Sequence, residues 1–246
     1  MGVPTNQAWP WRVEGMRQTV REFTKPINAL EIGTWFGEGS MSLWLDELPK
    51  DSALTVIDYW KPYITDVDKE KNDDYIQVDQ MVDRAFHSTF NIIRDFERNK
   101  ADRNIEVTMI RGDSRKICEW YKDDTFDFVY IDGSHYFEAV KKDIQNAKRI
   151  VKKKFGIICG DDYENDPREI TPYGVDMVNL ALLHTNVDFL QLPGVNHFHP
   201  GPMIAIRDEF ESKVNRYDGF WWVYCINGEF TTINPNTQIT VGEVYK

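Results

Sequence analysis

Residues 126–140 constrain the fold more than any other part of the chain. They begin with an apolar and aromatic run, 126–131, in which only Asp127 is charged, and the run stops at Asp132 and Gly133. Apolar residues then recur at the spacing of one helical face: Val140, Ile144, Ala147 and Val151. A continuous apolar strand that leads into a helix is the repeating unit of a parallel sheet buried on both faces.

The same alternation recurs along the chain and predicts an α/β fold with a Rossmann-like, doubly wound sheet and helices on both faces. Further strands are predicted at 29–33, 54–58, 105–110 and 155–160, and helices at 14–25, 41–48, 75–98 and 175–184. The last third carries short apolar runs separated by turn residues, which favour antiparallel pairing at one edge. These predicted strands are 189–192, 203–206 and 220–226, with a hairpin in the tail from Asn227.

The length of 246 residues fits one decorated α/β domain, or at most two small domains, and it is ample for a single large core. We therefore expect 1–246 to form a single domain with an antiparallel C-terminal part at 187–246. The stretch 61–100 is longer than an ordinary crossover, so we expect an insertion that helps to cap the site. Within it, the highly charged residues 61–74 are predicted to be a loop.

Charge and cysteine content limit the partners and the location that we expect. A net charge of −11 argues against nonspecific binding to nucleic acid or to anionic membranes. The chain has no apolar run of about 18 residues and no signal-peptide core near its start. Its three cysteines are widely spaced, as is typical of reduced thiols. We expect a soluble cytoplasmic protein, and a homo-oligomer is compatible with the sequence.

A glycine-rich segment, residues 31–40, joins the first predicted strand to a helix. Glycine lets the backbone turn sharply there and lets a ligand approach it closely. The spacing differs from that of dinucleotide-binding and phosphate-binding loops, and no lysine is present to meet a triphosphate. A turn without a ligand is the alternative. The candidate ligand-binding residues are Glu31, Gly33, Thr34, Gly37 and Ser40.

Polar residues also follow the next two predicted strands. Asp58, at the end of the second strand, can accept hydrogen bonds from two ribose hydroxyls. Asp113 and Ser114, after the third strand, could accept the amino group of an adenine ring. They could equally form a helix N-cap, and the two roles are compatible.

Three acids follow the two strands in the middle of the chain: Asp132, Asp161 and Asp162. Like charges that converge at neighbouring strand ends repel each other unless a cation lies among them. Oxygen ligands without cysteine indicate a hard ion such as Mg²⁺ or Ca²⁺. Solvated loop acids are the alternative.

Three histidines accompany these acids. His135, three residues after Asp132, could be a general base beside the ion, or a helix N-terminal residue without a chemical role. His197 and His199 could be further ligands, although substrate-loop or structural roles are more common for such residues.

These motifs resemble those of class I S-adenosylmethionine-dependent methyltransferases over residues 29–163. The first matching motif is Leu30-Glu31-Ile32-Gly33 with Gly37 and Gly39-Ser40. Residues 126–136 with Ala139 and Val140, followed by 156–163, resemble one branch. That branch comprises metal-dependent small-molecule O-methyltransferases akin to the macrocin and mycinamicin sugar O-methyltransferases and the cephalosporin-hydroxylase-like proteins.

The resemblance implies a seven-stranded sheet with a reversed last strand and S-adenosylmethionine bound over the first two strand ends. It implies that the cofactor is bound by residues of the glycine-rich turn together with four residues from other strand ends. The turn residues are Glu31, Gly33, Thr34, Gly37 and Ser40, and the others are Asp58, Asp113, Ser114 and Asp132. It also implies Mg²⁺ on Asp132, Asp161 and Asp162, a catalytic His135, and a small-molecule hydroxyl as acceptor. Two departures from the family pattern are Lys153-Lys154-Phe155-Gly156, in place of Lys-Pro-Gly-Gly, and the loss of similarity beyond Tyr163. The acceptor therefore cannot be carried over.

Two alternatives remain open. One is a catalytically silent, cofactor-binding scaffold of the same fold. The other is an iron-dependent hydroxylase, whose metal centre usually needs two histidines and one carboxylate. His197 or His199 would have to join His135 in such a centre.

Overall fold

A computed structural model of the chain describes residues 6, 10–71, 74–165, 177–192 and 195–234. It divides into two compact units, Met1–Ile117 and Cys118–Lys246. Within the described ranges, no helix is long and apolar enough to cross a membrane. The expectation of a single domain stays a prediction.

Three parallel strands form the sheet of the first unit: β1 Asn28–Ile32, β2 Ala53–Asp58 and β3 Glu106–Arg111. β2 lies in the middle, with Thr55 paired to Leu30 of β1 and to Thr108 of β3. β1 buries four of its five residues and β2 buries three of its six, which is why both appear in the sequence as short apolar runs. Because the strands are parallel, the residues that follow β1 and β2 emerge at the same edge of the sheet.

Five helices complete the described part of the first unit: α1 Pro10–Val20, α2 Ser40–Glu47, α3 Asp66–Lys71, α4 Asp74–Asn99 and α5 Ser114–Ile117. α3 falls in the segment that the sequence predicts as a loop. Thr65 explains the difference, because its hydroxyl accepts the N–H of Asp68 at 3.3 Å and bonds the Asp68 carboxylate at 2.9 Å. This pair caps a helix whose charged residues show no apolar periodicity.

The second unit contains five strands in its main sheet: β4 Phe128–Ile131, β5 Phe155–Tyr163, β8 Asn215–Tyr217, β9 Gly219–Ile226 and β10 Glu229–Thr231. β4 and β5 are parallel, and β9 runs antiparallel beside β5. β8 and β10 pair with different ends of β9, also antiparallel.

The predicted α/β class, with parallel strands, flanking helices and an antiparallel edge, is confirmed. The implied count of seven strands is corrected to eight, three in the sheet of the first unit and five in the main sheet of the second. The short strand β8 was not predicted. It is joined to β9 through Asp218 at φ 47° and Gly219 at φ 90°, the positive values that a tight hairpin turn requires.

The remaining elements of the second unit are α6 Phe137–Ile150, α7 Met177–Leu182, the hairpin of β6 Leu190–Leu192 and β7 Val195–Phe198, and α8 Pro200–Phe210. The prediction of a strand at 203–206 is wrong, since these residues lie inside α8. All four are buried, and a short apolar run does not distinguish a strand from a buried helix. Pro200, at the first helical position, favours the helix.

The tail hairpin predicted from Asn227, with Asn-Pro-Asn at 234–236, lies largely outside the described residues. A different hairpin joins β9 and β10. Asn227 at φ 51° and Gly228 at φ 86° form its turn. Residues 235–246, which contain most of the predicted tail, lie outside the described residues, as do 175 and 176 at the start of the predicted helix 175–184.

Candidate functional site

The glycine-rich turn after β1 has the backbone conformation that its sequence suggests. Gly33 has φ 82° and Gly37 has φ 74°, values that residues with a Cβ rarely adopt. A Cβ on Gly37 would also lie 2.7 Å from the Met41 methyl carbon and 3.2 Å from the Cα of Thr89. Trp35 has φ 51°, which is unusual for a bulky residue. The turn is therefore held in a costly conformation by its surroundings.

Asp58, at the end of β2, supplies much of that support. Its Oδ2 accepts the backbone N–H groups of Thr34 and Trp35, both at 2.9 Å, and its Oδ1 accepts the N–H of Trp60 at 2.9 Å. A carboxylate has about four acceptor positions, and at least three of them accept backbone N–H groups here, so at most about one is left for a ribose hydroxyl. Binding of ribose by Asp58 stays a prediction.

Glu31 and Ser40 tie the end of β1 to the start of α2. Glu31 is fully buried, and the Ser40 hydroxyl donates to its Oε1 at 2.6 Å. A buried carboxylate needs such partners because burial disfavours its charge. Both residues fix the two ends of the turn, while Thr34 is buried within it.

Helix α4, from the predicted capping insertion, packs directly on the turn. The Thr89 hydroxyl donates to the Trp35 carbonyl at 3.0 Å, and the Trp60 indole N–H donates to the same oxygen at 2.9 Å. Trp60 also meets the Phe86 ring edge-to-face at a centroid distance of 5.2 Å. The insertion thus stabilises the candidate cofactor turn, and its role in substrate capping stays a prediction.

Asp113 is arranged as the N-cap interpretation suggests. Its Oδ1 accepts the backbone N–H of Arg115 at 3.1 Å, and its two oxygens bond the Arg115 guanidinium at 2.8 Å each. These hydrogen bonds lower the pKa of the Asp113 carboxyl below its usual value. Ser114 is the first residue of α5. A contact of Asp113 with adenine would have to compete with Arg115.

In the second unit, Asp161 and Asp162 lie at an irregularity of β5. The pairing of β5 with β9 shifts register between Gly160 and Tyr163, and Asp162 has φ 64°. Such a bulge redirects side chains that a regular strand would send to opposite faces. Gly160 has no room for a side chain, since a Cβ there would lie 2.8 Å from the indole nitrogen of Trp221.

The three candidate metal ligands of the second unit converge. Asp132, Asp161 and Asp162 each offer a carboxylate oxygen, and these oxygens lie within 4.8 Å of one another. Asp161 is buried, and the Tyr130 hydroxyl donates to Asp132 Oδ2 at 2.9 Å. The spacing and the oxygen-only donor set fit a hard divalent cation.

His135 lies between carboxylates on both sides of its ring. Its Nε2 is 2.9 Å from Asp162 Oδ2, and its Nδ1 is 2.8 Å from Asp188 Oδ1. Burial opposes the charged imidazole, but the carboxylates of Asp162 and Asp188 raise the pKa of His135 well above its ordinary value. Asp132 Oδ1 is more distant from Nε2, at 3.9 Å.

His199 joins the same cluster from the junction of β7 and α8. Its Nδ1 is 2.6 Å from Glu164 Oε1 and 3.5 Å from Asp162 Oδ1, and its ring centroid lies 4.6 Å from that of His135. Burial opposes the charge here too, but Asp162 and Glu164 raise the pKa of His199 to about 9. The His197 side chain lies outside the described residues.

Two members of this cluster, Asp188 and Glu164, were not identified from the sequence. Asp188 is separated from His135 by 53 positions, and no motif connects them. Glu164 follows β5 directly and was absent from the predicted ligand set. His199 had one usable signal, because the Pro200 that follows it marks a helix start and places His199 at the N-cap.

Residues 30–163 match a family model described as a methyltransferase domain. This range includes the glycine-rich turn, Asp58, Asp113 and the acids that follow β4 and β5, and it spans more than half of the chain. The chain belongs to the methyltransferase-domain family. It is therefore an S-adenosylmethionine-dependent methyltransferase, the class that the sequence resembles.

Solved structures similar to this methyltransferase include an O-methyltransferase from Bacillus cereus in complex with SAH. That protein has 14% identity and a TM-score of 0.47, with coverage of 91% of this chain and 84% of that one. A SAM-dependent methyltransferase from Aquifex aeolicus has 15% identity and a TM-score of 0.42, with coverage of 88% and 93%. No curated protein matches the sequence. Membership of the family rests on the match over residues 30–163.

Proposed function

We propose that this methyltransferase transfers a methyl group from S-adenosylmethionine to a hydroxyl of a small molecule, such as a sugar or a natural product, with the help of Mg²⁺ or another hard divalent cation. One observation supports this most strongly. His135 Nε2 lies 2.9 Å from Asp162, which itself groups with Asp132 and Asp161. A general base beside a set of hard-cation ligands is what deprotonation of a hydroxyl requires.

In this proposal Asp132, Asp161 and Asp162 would hold the cation. The hydrogen bond from Tyr130 fixes the orientation of Asp132, and the bulge of β5 fixes that of the other two acids. When bound, the cation would act as a Lewis acid that lowers the pKa of the acceptor hydroxyl.

His135 would take the proton from the acceptor. Asp188, at 2.8 Å from Nδ1, keeps that nitrogen protonated. Because the neighbouring carboxylates raise the pKa of His135, Nε2 would be free to receive a proton only when a cation on Asp162 offsets the charge of that carboxylate. The Asp188 carboxylate stabilises the positive charge that develops on the ring. His135 is therefore the candidate base and Asp188 a residue that positions it.

The turn between β1 and α2 would hold the methyl donor, whose sulfonium supplies an electrophilic methyl group. The positive φ values of Gly33 and Gly37 let the backbone approach a ligand closely. Asp58 keeps the turn in place through Thr34 and Trp35, and it would accept one ribose hydroxyl at its remaining acceptor position.

The experiment is a methyl-transfer assay with labelled S-adenosylmethionine and a panel of hydroxylated sugars, polyketides and phenols, with and without Mg²⁺. We expect Mg²⁺-stimulated labelling of at least one acceptor. His135→Ala should lower turnover by about 10²–10⁴-fold with cofactor affinity nearly unchanged. His87→Ala, an exposed histidine of α4, is the matched control.

Asp161→Asn should remove the stimulation by Mg²⁺ together with most of the activity. Full turnover by His135→Ala would refute the assignment of the base. Cofactor binding without transfer to any acceptor, and without metal binding, would favour the scaffold alternative.

One observation supports the alternative of an iron-dependent hydroxylase. His135, Asp162 and His199 supply the two histidines and one carboxylate that such a centre needs. Membership of the methyltransferase family weighs against it. Iron-dependent oxygen consumption coupled to hydroxylation of an acceptor, without any methyl transfer, would decide for this alternative.

A further inference from the structure

A second group of candidate metal ligands overlaps the three acids. His135, Asp162 and His199 each offer a ligand atom, and these atoms lie within 4.8 Å of one another. Asp162 belongs to both groups, with Oδ2 facing His135 and Oδ1 facing His199. The bulge in β5 therefore places the Asp162 carboxylate beside both the other two acids and the two imidazoles.

The distances within this second group suit direct coordination. Asp162 oxygens lie 2.9 Å from His135 Nε2 and 3.5 Å from His199 Nδ1. Two ligand atoms bound to one ion at about 2.1 Å are about 3.0 Å apart in octahedral geometry and about 3.4 Å apart in tetrahedral geometry. The two distances involve different oxygens of Asp162, and the ligand nitrogens of the two histidines lie within 4.8 Å of each other, so an ion among these side chains would draw the donor atoms closer together.

The two imidazoles have different carboxylate partners. Asp188 lies 2.8 Å from Nδ1 of His135, so it would accept the Nδ1 proton when Nε2 binds an ion. Histidines that bind metals almost always donate their other N–H to such a partner, which fixes the tautomer and raises ligand basicity. Glu164 accepts the backbone N–H of His199 at 3.2 Å, and its Oε1 lies 2.6 Å from Nδ1, the nitrogen that faces Asp162, so Glu164 would be a further ligand of an ion at that nitrogen.

We propose that His135, Asp162 and His199 form a binding site for a divalent transition-metal ion, with Asp188 orienting the imidazole of His135 and Glu164 available as a fourth ligand beside His199. The site goes beyond the carboxylate set proposed above, and it does not depend on methyl transfer. Imidazole nitrogen favours ions such as Mn²⁺, Fe²⁺, Co²⁺ and Zn²⁺ over Mg²⁺. Because Asp162 is shared, the two donor sets compete for one residue, and the histidines shift the preference of the protein toward transition metals.

The test measures metal binding to the full chain without S-adenosylmethionine. Calorimetric titrations with Co²⁺ and with Mg²⁺ would compare the parent protein with His199→Ala and with the control His87→Ala. We expect His199→Ala to weaken Co²⁺ binding at least tenfold and Mg²⁺ binding less than threefold, and His87→Ala to change neither. The difference between variants is decisive, since many oxygen sites also bind Co²⁺ more tightly than Mg²⁺.

A spectroscopic measurement identifies the ligand atoms themselves. Electron spin echo modulation of bound Mn²⁺ should show coupling to nitrogen in the parent protein, and the coupling should weaken in His199→Ala. Asp188→Asn should lower Co²⁺ affinity by about 10–100-fold through the orientation of His135. This variant and the conservative His199→Gln provide the same comparison if His199→Ala does not fold.

Bound Mn²⁺ without nitrogen coupling, or equal Co²⁺ affinity in the parent and both His199 variants, would overturn this proposal. Mg²⁺-stimulated methyl transfer could persist in that case, and the site would be the carboxylate set alone. Conversely, the protein could show nitrogen coupling of bound Mn²⁺ and no methyl-transfer activity. That result would support the metal site and refute only the proposed methyl-transfer reaction.

Discussion

Substitution of Gly201 by alanine tests how His135 is positioned. Gly201 is the second residue of α8, where a helix would ordinarily gain up to about 1 kcal/mol from Gly→Ala. The contacts of Gly201 predict the opposite sign. A Cβ there would collide with the carbonyl oxygen of His135, and it would lie 2.7 Å from the backbone nitrogen of Phe137 and 3.0 Å from the carbonyl carbon of Tyr136.

The magnitude follows from what would have to move. All three atoms belong to the backbone, and α8 is held on α6 by Lys148 and Gln145, which bond Glu209 at 3.1 and 2.8 Å. Relief therefore requires a shift of a helix or of the segment that carries His135. Overpacking of this kind costs typically about 1–3 kcal/mol and occasionally more, so we expect a net loss of about 3 kcal/mol. At roughly 2–4 °C per kcal/mol, the melting temperature should fall by roughly 6–12 °C.

Urea unfolding and thermal melting measure this loss, and Co²⁺ titration reports on His135 in the protein that remains folded. The matched control is Gly112→Ala, whose Cβ would meet only the flexible end of the Ile117 side chain, at 2.7 Å. We expect the control to stay within about 1 kcal/mol of the parent. A Gly201→Ala protein as stable as the parent, or more stable, would refute the claim that α8 and the His135 segment are in backbone contact.

Three further predictions concern the other features of the protein. Asp58→Asn should lower the free energy of unfolding by about 1–3 kcal/mol, because an amide cannot replace both accepting oxygens. It should also lower the affinity for S-adenosylmethionine at least tenfold, and an affinity equal to that of the parent protein would contradict the role of Asp58. The control is Asp51→Asn, a substitution of an exposed residue. Addition of Mg²⁺ to the metal-free protein should raise the melting temperature, since an ion at 100 times its Kd stabilises the folded state by about 2.7 kcal/mol. This rise should vanish in Asp161→Asn, and a rise that persists there would place the Mg²⁺ elsewhere. The cysteines are all buried, and burial, with a smaller contribution from a nearby carboxylate, raises the pKa of Cys118 to about 12. Ellman's reagent at pH 8 should therefore label them only after unfolding, and rapid labelling of the folded protein would count against their burial.

Much of the fold could be predicted because its signals are local. Strands β1 and β4 are short, buried apolar runs, and the helix after β4 has its apolar residues on one face. The errors occurred where local patterns were ambiguous or weak. Residues 203–206 are apolar in either a strand or a buried helix, and the capped helix α3 has no apolar stripe.

The candidate site could be predicted from the sequence about as well as the fold. Parallel strands place the residues after their carboxyl ends at one edge, so Asp132, Asp161 and Asp162 could be grouped without knowledge of the packing. The preference of glycine for positive φ likewise indicated the turn at Gly33 and Gly37.

The sequence by itself determined the strand–helix alternation, the glycine-rich turn and the acids at the strand ends, because each depends on neighbours a few positions away. Only the tertiary structure decided which side chains meet. The β5 bulge turned Asp162 toward two imidazoles, and distant segments of the second unit brought Asp188 and His199 to His135. Asp58 acquired its structural bonds in the same way, through β1 and β2 lying side by side. Contacts between residues more than about twenty positions apart depend on how whole elements pack, and a periodic pattern within one element carries no record of that packing.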